Sequence, residues 1–312
     1  RTMLYNLYDR EWDEEILTII GIPRHILPQI RKSSGILGYT SPEELFTGKI
    51  PVAGSVVDQA AALFGQACFE KGTVKTTYGT GCFMLLNTGG KPVVSKNGLV
   101  TTVVWDVNDT FNYALDGGVY ISGAAVQWLR DGLGIIKNAG ETEILAKSVP
   151  DTGGVCFVPA FTGLAAPYWD QYARGMMIGI TRGTRKEHIV RATLEAIAFQ
   201  VAENLEVMQK DSGVLIDSMK ADGGAVVNSF LMQFQADILG IPVDVPVINE
   251  TTALGVACLS ALGTGAFNSF EEIGQHWKLS KRYLPLIGEK EREKLMERWK
   301  KAVQRCRNWE GR

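Results

Sequence analysis

The sequence predicts a mixed α/β fold, and three of its features carry that prediction. Beyond residue 72, short apolar runs of strand character alternate with longer stretches of helical period. One such stretch, residues 186–210, repeats Val190, Leu194, Ile197, Val201, Leu205 and Met208 at spacings of three and four, which lays an apolar stripe along one helix face. Glycine-rich turns stand where strands turn back or hand over to helices, at residues 79–81, 122–125 and 222–225. Strands and helices that alternate in this way bury each other's apolar faces in layers.

Taken in order, Trp12, Ile16, Leu17 and Ile20 form a short helical pattern that Gly21-Ile22-Pro23 stops. Pro28, Gly35, Gly38 and Pro42 make the next stretch turn-rich, and the apolar run 50–57 after it reads as a buried strand. Residues 59–70 are small and apolar, as in a helix packed tightly on a sheet, and Lys71-Gly72 closes it. A β-rich segment follows at 73–87. The composition shift at 65–72 marks a domain boundary, dividing 1–66 from 67–312. Residues 111–121 read as paired strands, 123–133 as a helix, and 155–159 as a strand before a loop of Gly, Pro and aromatic residues at 162–174. After the helix at 186–210 come a strand at 219–222, a helix at 228–239 and an Ala-rich helix at 252–262. Lys300, Lys301, Arg305 and Arg307 sit among apolar residues at helical spacing and read as the solvated face of a C-terminal helix. No tandem repeat or low-complexity tract is present.

Composition excludes several classes. The 312 residues are 46% hydrophobic and 21% charged, and their net charge of −2 leaves no broad basic surface for nucleic acid or an anionic membrane. The five cysteines, Cys68, Cys82, Cys156, Cys258 and Cys306, are odd in number and lack any C-x-x-C pair, which argues against a disulfide framework or a structural zinc and for a reducing cytoplasm. No run approaches the roughly 18 to 20 apolar residues of a membrane span. Charged residues from Asp9 to Glu15 replace the apolar core a signal peptide needs. Arg1, in place of an initiating Met, puts the natural start upstream.

The glycine turns are the candidate chemistry. In Thr77-Tyr78-Gly79-Thr80-Gly81 the glycines let the backbone approach an anion, and the Thr80 hydroxyl could donate to a phosphate oxygen. Ser122-Gly123-Ala124-Ala125 opens the helix carrying Gln127, and Asp222-Gly223-Gly224-Ala225 opens the helix carrying Asn228; helix starts favour anions and polar ligand edges. Singly, each turn is as well explained by glycine's φ freedom. There is neither a Walker Gly-Lys-Ser/Thr nor a G-x-G-x-x-G. Asp58, just after the apolar run, adds a carboxylate at the end of a strand, a good place for phosphoryl-transfer chemistry. Turn chemistry and periodicity stop there, at an α/β protein with a candidate nucleotide site.

Two blocks, Asp58-Gln59-Ala60-Ala61-Ala62-Leu63-Phe64-Gly65-Gln66 and Thr77-Tyr78-Gly79-Thr80-Gly81-Cys82-Phe83-Met84-Leu85-Leu86-Asn87, resemble the FGGY carbohydrate kinases and, among them, the glycerol kinases. Gly175-Met176-Met177-Ile178-Gly179-Ile180, seven further residues, His188-Ile189 and Ala192-Thr193-Leu194-Glu195 match the C-terminal signature of that family in every specified position. Similar blocks at 123–130, 158–164, 167–170 and 222–240 extend the resemblance over essentially the whole chain.

The resemblance implies an actin-like, ribonuclease-H-like ATPase fold, two domains closing over ATP-Mg and a polyol. Residues 1–66 would be the tail of the N-terminal domain and 67–312 a complete nucleotide-binding C-terminal domain. The implied reaction is phosphorylation of glycerol to glycerol 3-phosphate by ATP. In it Asp58 takes the hydroxyl proton, Asp58, Gln59 and Phe83 contact the polyol, Gly79 and Thr80 contact phosphates, and Gly123, Gln127, Gly224, Ala225 and Asn228 hold the nucleotide. No metal ligand is assigned, and a homodimer or tetramer is implied. Blander roles compete: Asp58 as a helix N-cap, Phe83 as a core residue, Gln127 and Asn228 as surface helix residues. His188, Thr193 and Glu195 read as packing and hydrogen-bonding groups, and His25 and His276 as structural.

Two departures stand out. Val57 occupies a position that is normally glycine, which weighs toward a non-catalytic actin-like module; a kinase of another polyol or ketose is the second alternative. The family's Mg-coordinating and glycerol-gripping residues lie upstream of Arg1, so the chain alone is expected to be inactive.

Overall fold

The computed structural model describes residues 2–41 and 48–311; Arg1 and the predicted turn residue Pro42 lie outside them. Strands β1 (Tyr5–Asn6) and β2 (Glu11–Trp12) pair antiparallel and lead into α1 (Glu14–Ile20). Asp13 caps α1 by accepting from the Ile16 N–H, and Gly21 ends it in the left-handed region. The stretch predicted as turn-rich contains a strand instead, β3 (Ser34–Tyr39), antiparallel to β4 (Pro51–Gly54). The predicted strand at 50–57 is therefore shorter than expected and mostly not buried: Ala53 is enclosed, whereas Ile50 and Val52 are exposed.

α2 (Asp58–Gly65) stops five residues before the predicted end, because the chain turns at Ala67 with φ +50. Next come β5 (Val74–Tyr78), β6 (Cys82–Gly89), β7 (Val100–Val107) and β8 (Thr110–Val119). The predicted strand pair at 111–121 is one strand, β8, whose hairpin partner β7 lies upstream. α3 (Gly123–Asp131) and α4 (Glu141–Lys147) precede the antiparallel pair β9 (Cys156–Val158) and β10 (Met176–Ile178). The long helix α5 (Lys186–Ser212), β11 (Met219–Asp222), α6 (Ser229–Leu239) and β12 (Val243–Pro246) follow, then α7 (Thr251–Thr264), α8 (Phe270–His276), β13 (Leu279–Tyr283) and α9 (Glu289–Cys306). Arg307 falls beyond α9 and departs from the expected solvated face; its guanidinium lies over the Tyr168 ring and 3.6 Å from Asp170.

Seven strands form one sheet in the order β13-β12-β11-β5-β6-β8-β7. β11 runs parallel to β5 and β12, and the other neighbours are antiparallel. Both faces are covered. Met84, Leu86 and Leu115 point into a core with α5, α6 and α9, while the intervening Leu85 and Ala114 point to a second core with α2, α7 and α8. Strands buried on both sides lose the alternation of polar and apolar residues, and this one-residue switching is the pleat's period of two. An aromatic cluster fixes the second core: Phe64 meets Trp105 edge-on at 5.3 Å, and Phe69 stacks on Phe270 at 4.8 Å.

α2 and α7 cross with their backbones in contact. A Cβ at Gly65 would overlap the Thr251 carbonyl oxygen, and one at Gly255 the Ala61 carbonyl oxygen. Gly255→Ala is therefore expected to destabilise the protein by about 1–3 kcal/mol or more through overpacking. Gly274→Ala, in α8 with open space around the added methyl, is expected to stabilise by about 0.5–1 kcal/mol through helix propensity. Denaturant melts of the two variants check the contrast; equal effects would contradict the crossing.

Candidate functional site

The register of the sheet builds a cleft at the ends of its central strands. Asp222 of β11 lies opposite Thr77 of the parallel neighbour β5, so the turns after both strands leave the sheet side by side. The 79–81 turn is bonded to the start of α3: Ser122 and Ala124 N–H donate to the Thr80 carbonyl at 2.9 and 3.1 Å, and Gly123 N–H to the Gly79 carbonyl at 3.0 Å. A Cβ at Gly123 would lie 2.6 Å from the Gly79 oxygen, and one at Gly223, whose φ is +90, would lie 2.6 Å from the Tyr78 oxygen. Glycine permits the three backbones to converge.

Between them opens a cleft of about 450 Å³, the size range of small-molecule sites. Gly79, Thr80, Gly123, Gln127, Gly224, Ala225 and Asn228, dispersed over 150 positions, all line it. Val126, Leu194, Ile197 and Leu231 supply apolar wall. A Cβ at Gly224 would meet nothing within 4 Å, so the backbone there borders open space.

Asn228 departs from its expected place on a helix. The 222–225 turn enters a short 3₁₀ segment (Gly224–Val227), and Asn228 is the N-cap of α6, its side-chain oxygen accepting from Leu231 N–H at 3.0 Å. Its NH₂ donates to Thr142 Oγ1 at 3.1 Å. That bond brings in α4, which sequence reasoning missed because seven mainly polar residues show no usable period. Glu143 of α4 accepts from the Ser229 N–H and hydroxyl and from Lys147. Burial works to raise the Glu143 pKa, but these hydrogen bonds and the Lys147 charge outweigh it and hold the carboxyl below its usual range.

Asp58, Gln59 and Phe83 do not line the cleft; they stand together beside it. Val57, with φ −68 and ψ 144, is the N-cap of α2, and Asp58 is the first helical residue, so Asp58 is not the N-cap. Those angles suit a β-branched residue, and the Val57 backbone makes no demand for glycine. Asp58 is exposed, with Oδ1 accepting from the Gln59 N–H at 2.7 Å. Phe83 is 42% exposed although Cys82 and Met84 on either side are fully buried, which removes its reading as a core residue.

The group that joins them is Lys75, fully buried in β5 and unmarked in the sequence by any motif. Its ammonium donates to the Gln59 side-chain oxygen, to Thr77 Oγ1 at 2.9 Å and to the Phe83 carbonyl at 3.3 Å. Burial pushes its pKa down to about 8, against the opposing pull of Asp222, Asp116 and Asp58. The one available signal was a lysine inside a five-residue strand otherwise made of Val, Thr and Tyr.

Asp222 closes the arrangement. Its Oδ2 accepts from Gln66 Nε2 and from Thr251 Oγ1, both at 2.8 Å, which ties the last strand residue before Gly223 to the end of α2 and the start of α7. Trp277 Nε1 in turn donates to Gln66 Oε1 at 2.9 Å. Among the described residues no group of three or more His, Cys, Asp or Glu could hold a metal ion. No step below passes through a metal ion. His188 Nδ1 accepts from the Arg185 N–H at the start of α5, Thr193 bonds the Ile189 carbonyl, and Glu195 pairs with Arg191 at 2.8 Å. These are structural contacts. His276 packs on the Phe267 ring.

Comparison with known proteins identifies the family and the fold. The C-terminal domain profile of the FGGY family of carbohydrate kinases matches residues 74–264, and its N-terminal domain profile matches 1–65. Glycerol kinase 2 of Thermotoga maritima is 58% identical over all 312 residues, which cover 63% of that relative; the glycerol kinase of Caldanaerobacter subterraneus is 55% identical over 99% of this chain and 62% of its own length. The chain thus spans less than two thirds of the curated relatives it matches. Among solved structures, Plasmodium falciparum glycerol kinase with ADP superposes with a TM-score of 0.91 at 36% identity, covering 98% of this chain and 62% of that one. A Lactobacillus acidophilus xylulose kinase superposes at 0.83 with 23% identity and shares the fold. The mixed sheet covered on both faces is the actin-like, ribonuclease-H-like architecture, and the chain belongs to the FGGY family of carbohydrate kinases.

Proposed function

We propose that this chain carries the nucleotide site and the general base of an ATP-dependent glycerol kinase, acting within a polypeptide of its relatives' length. The convergence of three glycine turns on one cleft, with the exposed Asp58 carboxylate beside it, carries the reading. The Plasmodium relative's ADP supports a nucleotide there, and relatives at 53–58% identity support glycerol as acceptor. ATP supplies the phosphoryl group that is transferred. Asp58 takes the proton of the attacking hydroxyl as it becomes the nucleophile, and Gln59 and Phe83 bind the polyol, one by hydrogen bonding and one by packing on carbon. Gly79 and Thr80 orient phosphates, and Gly123, Gln127, Gly224 and Ala225 bound the nucleotide. Asn228 joins them in bounding the nucleotide: its amide caps α6 and donates one N–H to Thr142, which leaves its second N–H for a ligand.

The proposed division is 1–66 for the end of a substrate domain and 67–312 for the nucleotide domain, with α2 and α7 crossing near their junction. Mg²⁺ accompanying ATP and assembly into a dimer or tetramer rest on the family resemblance, and a cytoplasmic location on the unpaired cysteines. Among the described residues no helix is long and apolar enough to cross a membrane.

Residues 1–312 alone are expected to bind ADP without phosphorylating glycerol, because positioning and charge neutralisation carry phosphoryl transfer and half a cleft supplies neither fully. Calorimetry and a coupled assay check both halves; glycerol turnover by these residues would contradict it. In the longer polypeptide Asp58→Asn is expected to lower kcat by about 10² to 10⁴ with ADP affinity unchanged. Loss of ADP binding with turnover preserved would assign the proton transfer elsewhere. Val57→Gly is expected to leave kcat within about twofold, since Val57 already holds an unstrained extended conformation; a large rise would show that the valine side chain crowds the substrate.

A further inference from the structure

We propose that Lys75 is a positioning residue that turns the Gln59 carboxamide so that its NH₂ group is presented as a donor to a substrate hydroxyl oxygen. The inference rests on the placement of polyol binding at Asp58 and Gln59 and goes beyond it by naming the group that orders that contact.

The argument begins with donor counting. An ammonium has three N–H bonds and no acceptor, so each atom it contacts must be an acceptor. The Lys75 contacts are the Gln59 side chain, the Thr77 hydroxyl and the Phe83 carbonyl, which saturate it. The Gln59 atom facing Lys75 is therefore the carboxamide oxygen, which settles an orientation that is otherwise assigned by convention. The NH₂ group then points away from the lysine. No acceptor among the described residues engages it, and Gln59 is only half buried. Its neighbour Asp58 is exposed on the same first turn of α2.

Retaining a fully buried cation here needs a reason, because burial without pairing is costly. Asp222 and Asp116 supply the counter-charge from β11 and β8, and Asp58 from α2. A shell of this kind locks a single rotamer of Gln59, which an uncharged donor with fewer hydrogens would hold less firmly. Glycerol presents hydroxyl oxygens that accept as well as donate. One face of that recognition is the Gln59 donor; the other is the Asp58 acceptor, one residue away.

The test uses the polypeptide of the relatives' length carrying this chain, with Gln59→Glu, Lys75→Met and the double variant. Gln59→Glu keeps a partner for Lys75 and removes the donor, and is expected to raise KM for glycerol about tenfold, the scale of one lost hydrogen bond, with the Kd for ADP unchanged. Lys75→Met is expected to give a similar rise, and the double variant no more than either single, because both remove the same contact. An unchanged KM in either single variant, rises that multiply in the double, or a fall in kcat alone would overturn the assignment. Gln59→Glu changes a half-buried helix residue and reads the donor even if Lys75→Met does not fold. Absence of turnover on any polyol by the unaltered polypeptide would sink the kinase reading itself, whereas turnover with variant KM values at the unaltered level would sink this proposal alone.

Discussion

The Asp222 carboxylate is the constraint on which the rest of the structure depends. It sits at the last position of β11, one residue before the glycine pair that borders the cleft, and it accepts from Gln66 and Thr251 at once. Those donors belong to the two helices that cross in backbone contact at Gly65 and Gly255. One buried carboxylate thus connects the 222–225 turn, the helix that begins with Asp58 and the helix that braces it. It is also the largest counter-charge to Lys75, whose ammonium holds Gln59. Removing one partner would leave a buried charge uncompensated, which is costly in a low-dielectric interior.

Rigidity follows from this arrangement. The cleft is built from strand ends and helix starts of a sheet buried on both faces, so its walls are fixed by the same cores that stabilise the domain. Hydrogen bonds join two of the turns directly, and the Asn228–Thr142 and Glu143–Ser229 bonds clamp α4 against the start of α6. Sites placed on such elements hold their geometry better than sites on free loops. Asp58 and Phe83, by contrast, face solvent.

Legibility in the sequence tracked the length and period of each element. α5 announced itself through six apolar residues at helical spacing, and the glycine turns through their position after strands, so the cleft's residues were named before their convergence was visible. β7, β12, β13, α4 and α8 were missed, being short, two-sided or polar, which erases periodicity. The run at 50–57 misled because apolar composition does not say which face is covered; in β4 only Ala53 is enclosed. Lys75 and Gln66 were invisible for a different reason. Gln66 acts through Asp222, 156 positions away, and Lys75 through groups on neighbouring elements, and no motif marks a buried polar network. Val57 looked like a defect from its identity alone, and its φ of −68 shows that the backbone there suits it.

Hydrogen exchange on residues 1–312, with and without ADP, tests most directly whether the three glycine turns form one nucleotide site. The account predicts that ADP slows exchange together at 79–81, 123–127 and 224–228, with β3 and β4 unchanged. Protection confined to a single turn, or centred on α9 and away from the cleft, would contradict it.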